Sequence, residues 1–341
     1  MNEEQSYPYS PGLKGVPAGK TKISRVDPNG ESLILQGYNI RELANFSTFE
    51  ETAYLTLYSK LPNKNELVNF EEKLRKEREL PNTLYEIIRT FPKEAHPMDM
   101  LRTCVSYLGM YESQETNDQY RSNMEKAIKL IAKMPTAIAA SFRISNQEKL
   151  IEPKQEFSHA KNFLYTLTEK EPNDLDSKVL DKSLILYIDH DFNASTFGNR
   201  ITASTDSDLH SAITGAIGNL KGPLHGGANE KVIKMLLEIG DVENVKNYVM
   251  QLISNKRKTP GFGHREYKIR DPRAEILKEL FRELSEIKGS MKLYELFEEM
   301  ENMQREHARG KGKFPNVDYP CGALYYSLGI ASELYTPIFA M

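Results

Sequence analysis

Apolar positions recur at helical spacing through most of this chain, with one exception near its start. Thr21-Lys22-Ile23-Ser24-Arg25-Val26 and Ser32-Leu33-Ile34-Leu35 flank Asp27-Pro28-Asn29-Gly30, whose turn chemistry predicts a β-hairpin. Almost everything after it reads as helix. Ser47-Thr48-Phe49-Glu50 has the form of a capping box and opens a helix to about residue 60. Asn63 and Glu66 repeat that logic for a helix to about residue 78. Pro97 sits just inside the next helix, which carries Met98, Leu101, Val105 and Leu108 at helical spacing. Further helices are predicted over 117–132, 135–144, 156–167, 176–186, 207–220, 230–239 and 242–254, then over 271–287 and 291–307. In the 230–239 helix, Val232, Ile233, Leu236 and Leu237 form one apolar face. The polar stretch 146–153 and the basic, glycine-rich stretch 309–315 read as connections. The fold class is mainly α.

Length and composition narrow what such a chain does. At 341 residues it is too long for one small domain and suits two domains sharing a core. With 39% hydrophobic and 27% charged residues it has the make-up of an ordinary soluble globular protein. A formal charge of −3 and a pI near 6.2 give no bulk electrostatic case for nucleic acid or an anionic membrane. No apolar run approaches the ~20 residues needed to span a bilayer. Residues 1–11 are polar, carry Glu3 and Glu4, and do not read as a signal peptide. Cys104 and Cys321 stand far apart, without metal-ligand spacing or a disulfide framework. A cytoplasmic location is expected. The 207–220 helix places Ala212, Gly215, Ala216 and Gly218 along its length. Such small residues permit close helix approach, at a subunit interface or within the chain.

Four segments carry candidate chemistry. His225 lies in Gly222-Pro223-Leu224-His225-Gly226-Gly227-Ala228-Asn229-Glu230, among backbone breakers where a helix begins. The positive end of that helix disfavours a protonated imidazole, which suits a neutral donor that polarises a carbonyl oxygen. Flanking glycines let a substrate approach the backbone; a glycine-rich turn with an incidental histidine has the same sequence. In Pro260-Gly261-Phe262-Gly263-His264-Arg265-Glu266-Tyr267-Lys268-Ile269-Arg270-Asp271-Pro272-Arg273, Asp271 makes a good N-cap and Pro272 a good first helical residue. Arg273 then falls in the first turn, where a cation opposes the helix dipole by about 0.3–1 kcal/mol. A guanidinium beside free backbone N–H groups makes a carboxylate or phosphate site; an arginine paired with a nearby carboxylate is the alternative. His264 shares its loop with Lys256, Arg257, Lys258, Arg265 and Lys268. That charge density lowers a histidine pKa and attracts a polyanion, unless it is simply a solvated face.

Asp318 stands in Phe314-Pro315-Asn316-Val317-Asp318-Tyr319-Pro320, a proline-bounded, partly apolar loop where desolvation raises basicity. A plain turn aspartate is the other reading. His190, in Tyr187-Ile188-Asp189-His190-Asp191-Phe192-Asn193-Ala194-Ser195-Thr196, follows the apolar run Leu184-Ile185-Leu186 and would alone read as structural.

Taken in order, these segments resemble the citrate synthase family. Its three signatures stand here at 222–230, 260–273 and 315–318, with supporting similarity from Pro11 through His96-Pro97-Met98-Asp99-Met100-Leu101-Arg102 to Gly329. The form is similar to the compact prokaryotic type, which includes citrate and 2-methylcitrate synthases. The resemblance implies a large, dimer-forming helical domain of residues 1–221 plus 321–341 and a small domain of residues 222–320 carrying most catalytic residues. It implies that His225 donates to the thioester oxygen of an acyl-CoA, Asp318 removes the α-proton, and His264 protonates the keto oxygen of oxaloacetate. His190 and Arg273 would hold oxaloacetate. Arg257, Lys258, Thr259, Pro260 and Gly261 would contact CoA, with Lys268 a phosphate partner. A homodimer is implied, with the acyl-CoA as substrate and no separate cofactor or metal. The chemistry agrees, because an aspartate alone cannot remove so weakly acidic a proton unless a donor stabilises the developing oxyanion.

Two departures qualify the match. Where the family often has a histidine three residues before the position of His190, this chain has Tyr187, which can still donate a hydrogen bond. The family pattern also continues past Phe339-Ala340 to two substrate-binding arginines, one reaching the other subunit. This sequence stops at Met341, and a truncated sequence is the expectation. The leading reading is citrate synthesis from acetyl-CoA and oxaloacetate. Propionyl-CoA, giving 2-methylcitrate, differs by one methylene, about 1–3 kcal/mol of discrimination. The pocket around Asp318-Tyr319-Pro320-Cys321 would decide between them. From another class, a non-catalytic dimer that binds CoA or a dicarboxylate is weighed because of the missing arginines. The histidines lack His-x-x-x-His and Cys-x-x-Cys spacing, which sets a metal site aside.

Overall fold

The hairpin forms at the predicted turn and gains a strand. β1 (Ser24–Val26) pairs antiparallel with β2 (Leu33–Leu35), Ser24 opposite Leu35, and β2 pairs with β3 (Tyr38–Asn39). Gln36 and Gly37 join β2 to β3 with φ of 48° and 92°, the positive values a tight two-residue hairpin needs. Strand β3 is too short to leave an alternating pattern. The computed structural model describes Ser10, Val16 and residues 18–29, 32–111 and 119–341. Pro11, residues 1–9, Gly30 of the hairpin turn and Asn117 lie outside the described residues.

Helices make up most of the remainder. The first eight are α1 (Ile40–Phe46), α2 (Phe49–Tyr58), α3 (Lys64–Lys76), α4 (Asn82–Arg89), α5 (Pro97–Tyr111), α6 (Gln119–Ser145), α7 (His159–Thr168) and α8 (Asp174–Tyr187). Then come α9 (Ala194–Ala203), α10 (Leu209–Lys221), α11 (Ala228–Ile239), α12 (Val242–Ser254), α13 (Pro272–Lys288), α14 (Met291–His307), α15 (Asp318–Ser327) and α16 (Tyr335–Ala340). Among the described residues no helix is long and apolar enough to cross a membrane.

The capping signals resolve differently at two helices. Asn63 accepts the Glu66 N–H at 3.0 Å and Glu66 accepts the Asn63 N–H at 2.9 Å, the box expected at α3. At α2 the cap is Thr48 rather than Ser47, with the Glu51 N–H at 3.2 Å. Glu50, expected as the box partner, is buried instead and accepts the His159 N–H at 2.7 Å. The helices expected over 117–132 and 135–144 are one helix, α6, with Pro135 inside it. An interior proline costs about 3 kcal/mol. Every residue from Ala132 to Ser141 is buried, however, and each large apolar side chain so placed contributes about 1.5–3 kcal/mol. On α11, Val232, Ile233 and Leu236 are buried as expected, but Leu237 is half exposed.

Helices α5, α6, α7 and α8 pack in succession, and α10 lies against α5 and α9, with Ala212 buried there and Gly215 exposed. A second group packs α11 and α13 around α15, and α12 on α14. Contacts of α8 with α13, and of α16 with both α10 and α11, join the two groups. Helix α15 is buried on every side from Tyr319 to Tyr325, the signature of a central helix without an amphipathic stripe.

Candidate active site

Four turns bring the predicted residues together. Helix α8 ends at Tyr187, and residues 188–193 loop back to α9, whose N-cap Asn193 accepts the Thr196 N–H at 2.9 Å. Asp191 sits in that loop with φ of 55°, and its N–H is held by Ser24 Oγ of β1 at 2.9 Å, which fixes His190 beside it. His225 lies in the turn after α10, where the His225 and Gly226 N–H groups both reach Gly222 O, at 2.9 and 3.1 Å. A Cβ on Gly226 would stand 2.2 Å from Leu220 O, and Gly227, with φ of 77°, caps α11. The glycines around His225 thus serve chain packing rather than leaving room for a ligand.

The His264 loop and the approach to Asp318 are stitched together. Phe262 and Pro315 form an isolated antiparallel bridge. Gly263 N–H donates to Phe314 O, and Asn316 N–H to Gly261 O, both at 2.8 Å. The Asn316 side chain donates to Gly263 O at 2.8 Å and accepts the Asp318 N–H at 3.0 Å. Asp318 is not in a loop, as its proline neighbours suggested. It is the first residue of α15, with Pro320 in the first turn, where proline is tolerated.

His190, His225, His264, Arg273 and Asp318 line one cavity of about 410 Å³, within the range of small-molecule sites. His225 Nε2 lies 2.9 Å from Ser195 Oγ. His264 Nδ1 accepts the N–H groups of Glu266 and Tyr267 at 3.0 and 3.2 Å, so the neutral ring carries its proton on Nε2. The His190 and His264 rings meet edge to face at 5.1 Å. His190 Nε2 is buried and has no hydrogen-bond partner among the described residues, an atom that a ligand can satisfy. Tyr187 Oη donates to Asp318 Oδ1 at 3.1 Å.

Burial sets most of the electrostatics. It pushes the Asp318 carboxyl up to about 6, against the opposing pull of the Tyr187 hydrogen bond and of Arg273. Burial also lowers His225, so this ring is neutral near pH 7 because it is desolvated. The turn geometry leaves His225 outside α11, ahead of its Gly227 cap, so the helix dipole is not the main cause. His190 is driven down to about 2 by burial first, then by Arg273 and His264. Arg273 is buried and paired bidentately with Asp271, Nε to Oδ1 at 3.0 Å and Nη2 to Oδ2 at 2.8 Å. Asp271 Oδ1 also caps the Arg273 N–H and Oδ2 takes the Val317 N–H, each at 3.0 Å. Burial opposes both charges, yet the pairing wins, holding Asp271 below and Arg273 above their ordinary ranges. Burial pushes the Cys321 thiol up to about 12, too high for a nucleophile.

Comparisons with known proteins give the family. A family model described as "Citrate synthase, C-terminal domain" matches residues 12–341. The chain belongs to the citrate synthase family. A citrate synthase from a Synechocystis strain is 42% identical over 333 residues, covering 98% of this chain and 84% of that protein. A citrate/2-methylcitrate synthase of Bacillus subtilis is 40% identical over 337 residues, covering 98% of this chain and 90% of its own length. The Thermoplasma acidophilum citrate synthase, solved as a ternary complex with carboxymethyl coenzyme A and oxaloacetate, superposes with a TM-score of 0.92. It is 32% identical, covering 98% of this chain and 89% of that one. The chain is therefore an acyltransferase of the citrate synthase type with that family's mainly α fold.

Not every residue expected from the family signatures reaches the cavity. Arg257 and Lys258 are exposed, outside the residues that line it. Thr259 is buried and donates from Oγ1 to Gln304 Oε1 at 3.1 Å. Pro260 is half-buried, and a Cβ on Gly261 would come within 2.7–2.9 Å of Val232 and Tyr319. Lys268 is exposed, and its N–H donates to Pro28 O at 2.9 Å, tying the hairpin to this loop. Sequence reasoning passed over Ser195, Asn316 and Asp271 as site residues. Asp271 was legible only as a cap, and Ser195 and Asn316 stood unremarked inside quoted motifs. Among the described residues, no cluster of three or more His, Cys, Asp or Glu could hold a metal ion.

Proposed function

We propose that this cavity condenses acetyl-CoA with oxaloacetate and hydrolyses the resulting thioester to citrate and CoA. The observation that carries the assignment is the convergence of Asp318, His225, His264, His190 and Arg273 on one cavity. Asp318 is a part-buried carboxyl with its basicity raised toward neutrality, suited to taking the α-proton of the thioester. Ser195, 2.9 Å from His225 Nε2, is assigned as the donor to it, so that neutral His225 keeps its proton on Nδ1 and gives that hydrogen bond to the thioester oxygen as charge develops there. The enol carbon then attacks the keto carbon of oxaloacetate. His264 supplies the Nε2 proton to the keto oxygen, which becomes the product hydroxyl. Water adds to the citryl thioester and the CoA thiol leaves. His190 Nε2 and the Arg273 guanidinium hold the oxaloacetate carboxylates. The acyl-CoA enters as substrate, and the sequence of steps calls for no separate cofactor.

Arg257, Lys258 and Lys268 are exposed cations near the His264 loop and are assigned to the CoA phosphates. Thr259, Pro260 and Gly261 serve that loop chiefly by shaping it. A division into two domains near residue 221 would set the cavity between the two helical groups, where closure over substrate is expected. A homodimer is supported by α9, which buries none of its residues within the chain, and by exposed Ile201 and Leu224. The buried thiols Cys104 and Cys321 suit a reducing cytoplasm.

Thiol release from acetyl-CoA and from propionyl-CoA, each with oxaloacetate, tests the assignment. Acetyl-CoA is expected to be the better substrate, within the roughly 10–200-fold that one methylene allows. Release should fall by orders of magnitude in Asp318→Asn. Silence with both thioesters overturns the reading. Size-exclusion chromatography with light scattering tests the dimer.

A further inference from the structure

Tyr187 is the residue at which this chain departs from the histidine often found there, and the cavity gives it a specific contact. It ends α8, its ring lies 4.2 Å from that of Phe339 on α16, and its hydroxyl donates to Asp318 Oδ1 at 3.1 Å. Asp318 N–H is held by Asn316, so the backbone and one carboxylate oxygen of this residue are both fixed. We propose that Tyr187 is a positioning residue for the base: its O–H occupies Oδ1, leaves Oδ2 as the oxygen that takes the substrate proton, and stabilises the ionised carboxylate against burial. The inference rests on the assignment of Asp318 as base and adds to it which oxygen acts and what keeps it ionised.

The charged and titratable groups around the pair come from several elements. Tyr187 faces from α8, Arg273 and Asp271 from the start of α13, and Cys321 and Tyr325 from α15 itself. His190, His225 and His264 line the same cavity. Within this set Arg273 is already committed to Asp271 through two hydrogen bonds. The Asp318 side chain accepts from Tyr187, which makes this phenol the group whose removal changes the base most directly. Tyr187 itself is raised far above the range in which it would lose its proton, chiefly by burial, so it remains a donor throughout the working pH range.

Tyr187→Phe removes the donor and keeps the ring that packs on Phe339. A hydrogen bond to an ionised carboxyl corresponds to about one to two pK units. The acidic limb of the kcat profile should therefore move up by about one to two pH units. That lowers turnover roughly tenfold at pH 6.5 and leaves it nearly unchanged at pH 9, with KM for oxaloacetate little altered. A loss of packing alone would lower activity equally at every pH. Infrared difference titration of the Asp318 carboxylic C=O band, assigned by its absence in Asp318→Asn, gives a second readout independent of turnover. Its midpoint should rise by the same amount in Tyr187→Phe. Unchanged limb and unchanged band overturn the inference. If Asp318→Asn itself turns over like the unmodified protein, the base assignment fails instead, so the two failures are distinguishable.

Discussion

Replacing Asp318 by asparagine should cut turnover by orders of magnitude and, in the same variant, stabilise the fold. The carboxyl is part-buried in the cavity wall, and this burial raises it from 3.8 to about 6. Such a group is harder to ionise in the folded chain than in the unfolded one. Below pH 3.8 it is protonated in both states and contributes nothing to the pH dependence. Between 3.8 and 6 the unfolded chain loses this proton while the folded chain keeps it, so stability falls as pH rises. Above 6 the loss is complete. A difference of about 2 pK units corresponds to about 3 kcal/mol, of which about half is already lost at pH 5. Asparagine is uncharged and of the same size, and its carbonyl still accepts the Tyr187 hydrogen bond. The variant should thus be more stable by about 3 kcal/mol at pH 8 and by about half that at pH 5, while turnover falls by about 10²–10⁴-fold. Scanning calorimetry of both proteins from pH 5 to 8 measures it. A variant no more stable at pH 8, or a difference that fails to shrink toward pH 5, refutes the argument that burial sets this carboxyl.

Three further substitutions probe the neighbouring parts. Ser195→Ala removes the partner 2.9 Å from His225 Nε2; losing one hydrogen bond of about 0.5–1.5 kcal/mol should lower kcat by up to about tenfold. Steady-state kinetics should show KM for oxaloacetate unchanged, whereas a KM effect without a kcat effect argues against the tautomer-setting role. Arg273→Met leaves Asp271 buried without its guanidinium and should destabilise the fold by about 3–5 kcal/mol. Denaturant unfolding reads that loss, and a calorimetric titration should show oxaloacetate binding lost as well. Gly226→Ala forces a methyl to within 2.2 Å of Leu220 O. It should cost about 1–3 kcal/mol in thermal unfolding and displace His225, so that kcat falls too.

Much of this fold was legible because most helices bury a stripe. Met98, Leu101, Val105 and Leu108 show the helical period, and all four are buried in α5. Helices without a stripe were missed for opposite reasons. Helix α9 buries none of its residues within this chain, and α15 buries every residue from Tyr319 to Tyr325. Neither leaves a period to read. Pro320 and Pro135 also misled, one by sitting in the first turn of a helix and the other by lying inside a long buried one. At the site, the quoted segments, read through the family resemblance, pointed to the side chains that share the cavity. What the sequence hid was which partner each takes. Arg273 offered a choice between ligand anion and local carboxylate, and only the fold shows the bidentate Asp271. Tyr187 was readable as a donor, but not Asp318 as its acceptor, because 131 residues separate them.

The balance at Asp318 has a consequence for how the proposed reaction is timed. Three influences favour the ionised carboxylate. It opens α15, where the helix dipole stabilises a negative charge by about 0.3–1 kcal/mol and more when partly buried. Arg273 attracts it, and Tyr187 donates to it. Despite these, the net displacement is upward by about 2 pK units, or about 3 kcal/mol. Desolvation therefore exceeds the other influences combined. Base strength here is set first by water exclusion and then moderated by the Tyr187 hydrogen bond and Arg273. Opening the cavity would admit water and return Asp318 toward an ordinary carboxylate, too weak to take an α-proton at a useful rate. Shutting it over the proposed substrates would restore the basicity and keep out the water that would hydrolyse the acyl thioester before the carbon–carbon bond forms. Burial thus both strengthens the base and protects its proposed substrate.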